Sequence, residues 1–519
     1  MRETGSLEKI LVLDFGAQYA HLICRRVREL GVFAELAPYD ISADQVRRKK
    51  ARGLIFSGGP KSVYDRNAPL PKQEIYDLGL PILGICYGLQ ALVFQKGGEV
   101  VGAGNREYGR ASLKIVDEQN VLFQGIKSPT LCWMSHGDAA ESLPPGFSSI
   151  ATSDNSPFAA ITSGNIYAVQ FHPEVTHTKE GSRILANFVF GICGCERNWS
   201  TETMVDDALE ELQSKIGPSD RILCALSGGV DSSTTTALIE KAVGKRLYCV
   251  FVDNGLLREG ERERVERVFR PRLGRNLVIV NDSHKFLSKL KGITDPEVKR
   301  KIVGREFILS FGRVSRKLGK IKWLAQGTLY TDIVESASSG VSRNTQSVIK
   351  SHHNVGGLPK KLGFSLIEPL KDLYKDEVRK VAKTLGLPSD LIYAHPFPGP
   401  GLAVRIMGEV TNEKLRIVRK ASAIVEEELR LAGLYEKLWQ AYACVGDDEA
   451  TGVKGDSRAV GHVVIVRVVE SVDAMTADWT RLPYEIMERI SNRITNEVSG
   501  VTWVTYAISS KPPATIEPQ

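Results

Sequence analysis

The chain contains no unbroken apolar stretch of about eighteen residues, so no transmembrane helix is expected. Its opening residues, Met-Arg-Glu-Thr-Gly-Ser-Leu-Glu-Lys, lack the apolar centre of a secretory signal. It has no internal repeat and no low-complexity tract, which excludes repeat architectures. No Gly-x-x-x-x-Gly-Lys-Ser/Thr string occurs, so any phosphate site is built another way. Cysteine is sparse: eight in 519 residues, scattered, with Cys24 and Cys224 in or near apolar elements. Cys193 and Cys195 stand too close together for the usual zinc half-site, and no second pair follows them. Reduced thiols and a cytoplasmic compartment are therefore expected. A net charge of +7 is mild for this length. It suits anionic substrates and is weak support for a nucleic-acid surface.

What is present is ordinary globular composition, 42% hydrophobic and 25% charged. At ~150 residues per domain the length predicts about three domains. Strands and helices alternate from the start: apolar runs at 10–15, 53–56, 82–85 and 160–169, with helical spacing at 18–30. That rhythm predicts a mostly parallel sheet with helices on both faces. Residues 196–201 read as a linker, and an amphipathic helix at 204–215 opens a second alternating unit with strands at 247–253, 277–281 and 323–327. The run His395-Pro396-Phe397-Pro398-Gly399-Pro400-Gly401 excludes regular structure. Beyond it, helices at 412–431 and 483–498 and strands at 463–469 and 501–508 predict an α+β module.

Two segments carry chemistry. Ser227-Gly228-Gly229-Val230-Asp231-Ser232-Ser233 follows the apolar strand 222–226 and precedes a helix expected at 234–243. The glycines expose N–H groups in a tight turn, and a helix N-terminus adds positive partial charge, which suits an oxyanion such as phosphate. Asp231 can hold a hard cation such as Mg²⁺. Upstream, Cys86 ends an apolar strand in Ile82-Leu83-Gly84-Ile85-Cys86-Tyr87-Gly88-Leu89-Gln90, with a helix expected from about Leu89. A residue on such a sharp turn projects outward, and the helix N-terminus favours thiolate. His172 and Glu174, two apart in Gln170-Phe171-His172-Pro173-Glu174, point the same way from an extended segment. They suit a Cys-His-Glu triad. Ser57-Gly58-Gly59-Pro60 offers N–H groups for an oxyanion hole, with the Tyr87 N–H as second donor.

The loop at 227–233 resembles the pyrophosphate loop of N-type ATP pyrophosphatases. The Gly84-x-Cys86-x-Gly88-x-Gln90 string, followed by His172-Pro173-Glu174, resembles class I glutamine amidotransferases. The whole chain, from about 10 to 517, resembles the glutamine-hydrolysing GMP synthetase family. The strings that carry this are Asp14-Phe15-Gly16-Ala17-Gln18-Tyr19, Phe251-Val252-Asp253-Asn254-Gly255, Gly327-Thr328-Leu329-Tyr330-Thr331-Asp332, residues 349–359, and Lys511-Pro512-Pro513-Ala514-Thr515-Ile516-Glu517.

The resemblance implies three domains: a glutamine amidotransferase at 8–197, an ATP pyrophosphatase at 198–395, and an α+β dimerisation and XMP-binding domain at 396–519. The first two are doubly wound and mostly parallel. It implies glutamine-dependent amination of XMP to GMP, with ATP and Mg²⁺, in a homodimer, with no nucleic acid or membrane partner. Cys86, His172 and Glu174 are the implied catalytic residues. Gly59, Tyr87, Gln90, Ser135, His136 and Asp138 are implied for the oxyanion hole and glutamine pocket. Ser227, Gly228, Gly229, Val230, Asp231, Ser232, Ser233 and Val252 are implied for ATP. Arg305, Pro400, Lys511, Ile516 and Glu517 are implied for XMP, and Lys350 for a phosphate. His352 and His353 have no second ligand pair nearby in sequence and read as a polar loop. The chain departs from the family at Glu99, in the acidic stretch 445–454, and at Pro518-Gln519, where Glu-Trp-Glu commonly ends the chain. A tRNA-modifying sulfur-transfer relative would need a cysteine pair beside the phosphate loop and a strong basic patch; the sequence has a glutaminase domain instead.

Overall fold

The computed structural model describes residues 8–17, 19–333, 364–471 and 476–519. Lys350, His352 and His353 lie outside the described residues. Residues 1–203 form one compact unit and residues 204–519 a second. Among the described residues no helix is long and apolar enough to cross a membrane.

The first unit is built on nine strands: β1 (Lys9–Asp14), β2 (Phe33–Pro38), β3 (Ala51–Phe56), β4 (Ile82–Ile85), β5 (Glu99–Ile115), β6 (Thr130–Ser142), β7 (Ser148–Thr152), β8 (Ala160–Ser163) and β9 (Ile166–Val169). Their order is β2-β1-β3-β4-β9-β8-β7-β5-β6. The stretch from β2 to β9 is parallel, and the rest is antiparallel. Of the parallel strands, β1, β3 and β4 are apolar runs expected from sequence, β9 is the second half of the run expected at 160–169, which turns back on itself at 164–165, and β2 was not expected. The expected runs are apolar along their length because helices cover both faces of a parallel sheet. The helix Tyr87–Gln95 is buried through Val93, so it is apolar all round rather than amphipathic. Because β3, β4 and β9 are parallel neighbours, their carboxyl ends lie side by side at one edge. Ligands bind at such an edge.

The second unit has a parallel sheet of β10 (Ile222–Ala225), β11 (Leu247–Asp253), β12 (Leu277–Asn281), β13 (Trp323–Ala325) and β14 (Ser365–Ile367), ordered β12-β11-β10-β13-β14. The chain leaves β10 toward β11 and later returns on its other side as β13. This makes the end of β10 a topological switch point, where a crevice opens. A second sheet follows: β15 (Gln440–Lys454), β16 (Ser457–Glu470), β17 (Asp478–Trp479) and β18 (Val501–Tyr506), packed with the helices Asn412–Leu431 and Tyr484–Glu497. The acidic stretch 445–454 is therefore part of a long hairpin strand. One apolar cluster runs from Leu223 and Val250 through Val418 to Val466, across both sheets. We propose that a boundary at 396 separates two sheets inside this unit rather than two bodies with separate cores.

Three helices begin earlier than the sequence suggests, and in two of them hydroxyl side chains bond the first turn. The helix Thr201–Lys215 starts at Thr201 because Ser200 and Thr203 cap it reciprocally: the Thr203 N–H donates to Ser200 Oγ at 3.2 Å and the Ser200 N–H to Thr203 Oγ1 at 2.8 Å. The helix Val230–Val243 starts at Val230 because extended Gly229 caps it, with Ser232 Oγ donating to Gly229 O at 3.1 Å. Its hydroxyl residues read as loop in sequence but bond the first turn.

Candidate active sites

Cys86 sits where β4 turns into the helix Tyr87–Gln95, with φ +53° and ψ −105°. A left-handed φ at a non-glycine residue is strained, typically by 1–3 kcal/mol. The flanking glycines make the turn possible. A Cβ on Gly84 would lie 2.8 Å from Gly88 O, and one on Gly88 would lie 2.5 Å from Phe56 O. The Cys86 N–H donates to Val169 O at 2.8 Å, tying the turn to the end of β9. Three residues further on stands His172, whose Nδ1 lies 2.7 Å from Glu174 Oε1, both side chains buried. The Glu174 carboxylate fixes Nδ1 as donor and leaves Nε2 for the cysteine. The His172 backbone is pinned by its N–H donating to Trp133 O at 3.0 Å and by Thr178 Oγ1 donating to His172 O at 2.6 Å. Burial by itself would push the His172 imidazole down. Hydrogen bonds with Cys86 and Glu174, and the charges of both, override it and raise the imidazole to about 11. A proton held there stabilises a neighbouring thiolate.

Gly58 and Gly59 come close to this pair. A Cβ on Gly58 would lie 3.2 Å from the His172 ring, and one on Gly59 would lie 2.9 Å from Phe15 O and 3.1 Å from the Tyr87 ring. Tyr87 is buried, and its hydroxyl donates to Pro69 O at 3.0 Å. Its N–H belongs to the first residue of a helix and has no intrahelical partner. From β6, Ser135 presents its carbonyl 3.6 Å from Cys86 Sγ. Gln90 Nε2 donates to Asp138 O at 2.7 Å, and His136 Nδ1 lies 3.0 Å from the same oxygen. The residues expected to make a glutaminase thus converge around Cys86. Gln170 was missed: its buried Nε2 lies 3.8 Å from Cys86 Sγ. Its position two before His172, on the same side of an extended segment, was the available signal.

In the second unit the loop after β10 closes on itself. Ser227 Oγ and Ser232 Oγ are 2.9 Å apart, and the Ser227 N–H donates to Ser232 Oγ at 3.2 Å. Gly228 takes φ +84°. Val230 and Ser233 are buried in the helix that follows, and Val252 is buried near the end of β11. Gly327 packs against the loop, since a Cβ there would lie 3.0 Å from the Asp231 carbonyl carbon. Asp231 turns Oδ2 toward Lys375 Nζ at 2.5 Å. Its Oδ1 is buried with no hydrogen-bond partner among the described residues. An orphaned carboxylate oxygen beside the loop 227–233 fits Mg²⁺, which takes one or two protein carboxylates and completes its shell with phosphates and water. Among the described residues there is no cluster of His, Cys, Asp or Glu able to cage a metal alone. Lys375 went unseen in the sequence because it lies far along the chain from Asp231.

The residues expected for XMP lie on the tail, on the proline-rich segment and on the helix Pro296–Lys317. Glu517 is gripped by Arg405, with Nε to Oε2 at 3.1 Å and Nη2 to Oε1 at 2.9 Å, and by Gln440 Nε2 at 2.6 Å. Gln440 Nε2 also donates to Pro396 O at 2.8 Å, so the proline-rich segment meets the tail here. Pro400 is buried, and Gly401 packs on Leu256, where a Cβ would lie 2.5 Å from Leu256 O. Ile516 is buried beside Val469 and Ala477, and the Lys511 backbone pairs with Ala477. Arg305 is exposed on the helix Pro296–Lys317, whose Lys299 and Arg300 bond Gln519.

The first unit, with its parallel sheet and its cysteine, histidine and glutamate at one sheet edge, has the make-up of a class I glutamine amidotransferase. The family model for glutamine amidotransferase class I matches residues 11–192. The model for the GMP synthase C-terminal domain matches residues 427–518. A glutamine-hydrolysing GMP synthase of Heliobacterium modesticaldum is 52% identical over 98% of this chain and 99% of its own length. Those of Gloeothece citriformis and Brachyspira hyodysenteriae are 50% and 49% identical, over 100% and 99% of this chain and 96% and 99% of their own. The chain belongs to the glutamine-hydrolysing GMP synthase family.

Proposed function

We propose that this chain converts XMP, ATP, glutamine and water to GMP, AMP, pyrophosphate and glutamate, using one centre in each unit. The observation that carries it is the triad of Cys86, His172 and Glu174 in one unit of a chain whose other unit holds the glycine–serine phosphate loop. The Cys86 thiolate attacks the glutamine amide carbon, and the developing oxyanion is met by N–H groups at Gly59 and Tyr87. His172 gives its proton to the departing nitrogen, releasing ammonia, and then takes one from the water that frees glutamate. Glu174 holds the imidazole in the productive tautomer throughout. In the second unit the loop 227–233 binds the ATP phosphates, and Asp231 and Lys375 flank them. Mg²⁺, held by Asp231 with the phosphate oxygens, would neutralise charge on the leaving pyrophosphate. The purine oxygen at C2 takes the adenylyl group, and ammonia displaces AMP from that carbon. Arg305, Pro400, Lys511, Ile516 and Glu517 are assigned to XMP, and Lys350 to phosphate. Val453, Val460 and Trp503, exposed on the C-terminal sheet, are assigned to a homodimer contact.

The test is a product assay with XMP, ATP, Mg²⁺ and glutamine carrying ¹⁵N in its amide. Labelled GMP, AMP and pyrophosphate in equal amounts are expected. Cys86→Ala should lose the glutamine-dependent reaction and keep the reaction with free ammonia. Loss of both would sink the assignment of Cys86 to a separate glutaminase centre, and AMP without GMP would point to another acceptor.

A further inference from the structure

Glu107 lies on β5 directly opposite His136 on β6. Both are buried, at 6% and 4% exposure. Glu107 Oε2 stands 3.1 Å from His136 Nε2, and Ser153 Oγ donates to both carboxylate oxygens at 3.0 and 3.2 Å. On the far side of the ring, Nδ1 lies 3.0 Å from Asp138 O. A carbonyl only accepts, so Nδ1 carries a proton and donates. The Nε2–Oε2 contact then needs a proton of its own, shared between imidazole and carboxyl. Asp138 O is therefore held by two donors, His136 Nδ1 and Gln90 Nε2. In the same segment Ser135 O faces Cys86 Sγ.

We infer that Glu107 is a positioning residue for glutamine: acting through His136, it clamps the backbone of 135–138 against the nucleophile. It touches no reacting atom. The inference rests on the reading of Gln90, Ser135, His136 and Asp138 as the glutamine pocket. Glutamine presents an α-ammonium and an α-carboxylate, and binding both needs backbone acceptors and donors that do not swing. A rigid wall lowers the ordering cost of binding and so acts on KM.

The experiment measures GMP formation by the full chain with glutamine and, separately, with ammonia. Glu107→Leu should raise KM for glutamine by about tenfold or more, the worth of one buried charge-assisted hydrogen bond, and keep kcat within about threefold. Glu107→Gln, whose amide can donate to neutral His136 Nε2, should return KM to within about threefold of the parent. Ammonia-dependent turnover should be the same throughout. An unchanged KM in Glu107→Leu, or a fall in kcat at constant KM, overturns the clamp. If Glu107→Leu loses the ammonia reaction as well, the decision passes to Ser153→Ala, where a KM raised by roughly threefold supports the clamp and an unchanged KM overturns it. Gln90→Ala is run beside these. An unchanged KM there defeats the pocket reading itself, whereas a raised KM there with an unchanged KM in Glu107→Leu defeats only the clamp.

Discussion

His395 is held between two backbone groups that require its neutral form. Nδ1 accepts from the Ala441 N–H at 3.1 Å, Nε2 donates to Tyr435 O at 2.8 Å, and the ring stacks on Tyr435 with centroids 3.8 Å apart. Burial is the main cause that pushes its imidazole down to about 4; Arg258 and Arg430 add to it, against the Tyr435 carbonyl and Glu426. The unfolded chain takes up a proton here below about pH 6.5. The folded chain does so only near 4. Between those values the unfolded state binds more protons, so stability falls as pH drops through the window, by up to roughly 3 kcal/mol. Melting temperatures of the parent and of His395→Gln at pH 7.5 and 5 should show a larger acid loss in the parent; equal losses would remove His395 as the cause. At this scale the residues proposed as catalytic were legible because each is local. Cys86 stands at one strand end, and His172 and Glu174 stand two apart on another. Lys375, Glu107 and Arg405 were not, because a lysine, a glutamate or an arginine has no local signature. Only the sheet brings Glu107 to His136, and only the second unit's packing brings Lys375 to Asp231.

The turn from β4 into the helix Tyr87–Gln95 was legible as an element, including which residue it presents, but its boundary was not. The helix begins at Tyr87 rather than Leu89, because Gly88 contributes to the first turn instead of ending a loop. Gly88 is there for closeness rather than for a special φ: the backbone of Phe56 on β3 leaves no room for a methyl, with Phe56 O 2.5 Å and Phe56 Cβ 2.8 Å from the position it would occupy. Gly88→Ala must therefore push the helix away from β3 and tilt Cys86 relative to His172. The expected result is a destabilisation of about 1–3 kcal/mol and a fall of roughly a hundredfold in glutamine-dependent turnover. Ammonia-dependent turnover, which the proposed function gives to the second unit, should hold. Retention of full glutamine-dependent turnover would show that the close contact does not set the angle of Cys86. Most of the parallel strands and the helix Asn412–Leu431 were read from their apolar pattern, but β2, β14 and the longest helix among the described residues, Pro296–Lys317, were not. The hairpin of β15 and β16 was not, because its acidic outer half reads as loop until its partner strand is known.

At the scale of the whole molecule, what sequence cannot supply is closure over long distances. In the second unit the last residues fold back onto segments far upstream. Arg467 donates to Ser509 O at 3.1 Å, Thr515 O at 2.8 Å and Ile516 O at 3.0 Å, and Tyr442 Oη donates to Ile516 O at 2.6 Å. Lys299, fully buried, donates to Ile406 O at 2.6 Å and to Gln519 Oε1 at 2.9 Å. Burial, then the nearby charge of Lys414, pushes the Lys299 amine down to about 8. Between these anchors Arg405, 1% exposed, grips Glu517 with two parallel bonds and lies over the Tyr442 ring at 4.2 Å. A carboxylate has about four acceptor positions. Three are filled by Arg405 and Gln440, and one remains for a ligand donor such as a nucleotide hydroxyl. Lysine at 405 would keep the charge but lose the fork that sets the carboxylate plane. Arg405→Lys should therefore raise KM for XMP by about tenfold, the value of one charge-assisted bond misdirected, and leave KM for ATP within about twofold. Initial rates at saturating ammonia, with XMP and ATP varied in turn, separate the two. An unchanged KM for XMP would mean that Glu517 closes the fold of the second unit without meeting the nucleotide, and an equal rise for both substrates would mean that the tail shapes the unit as a whole.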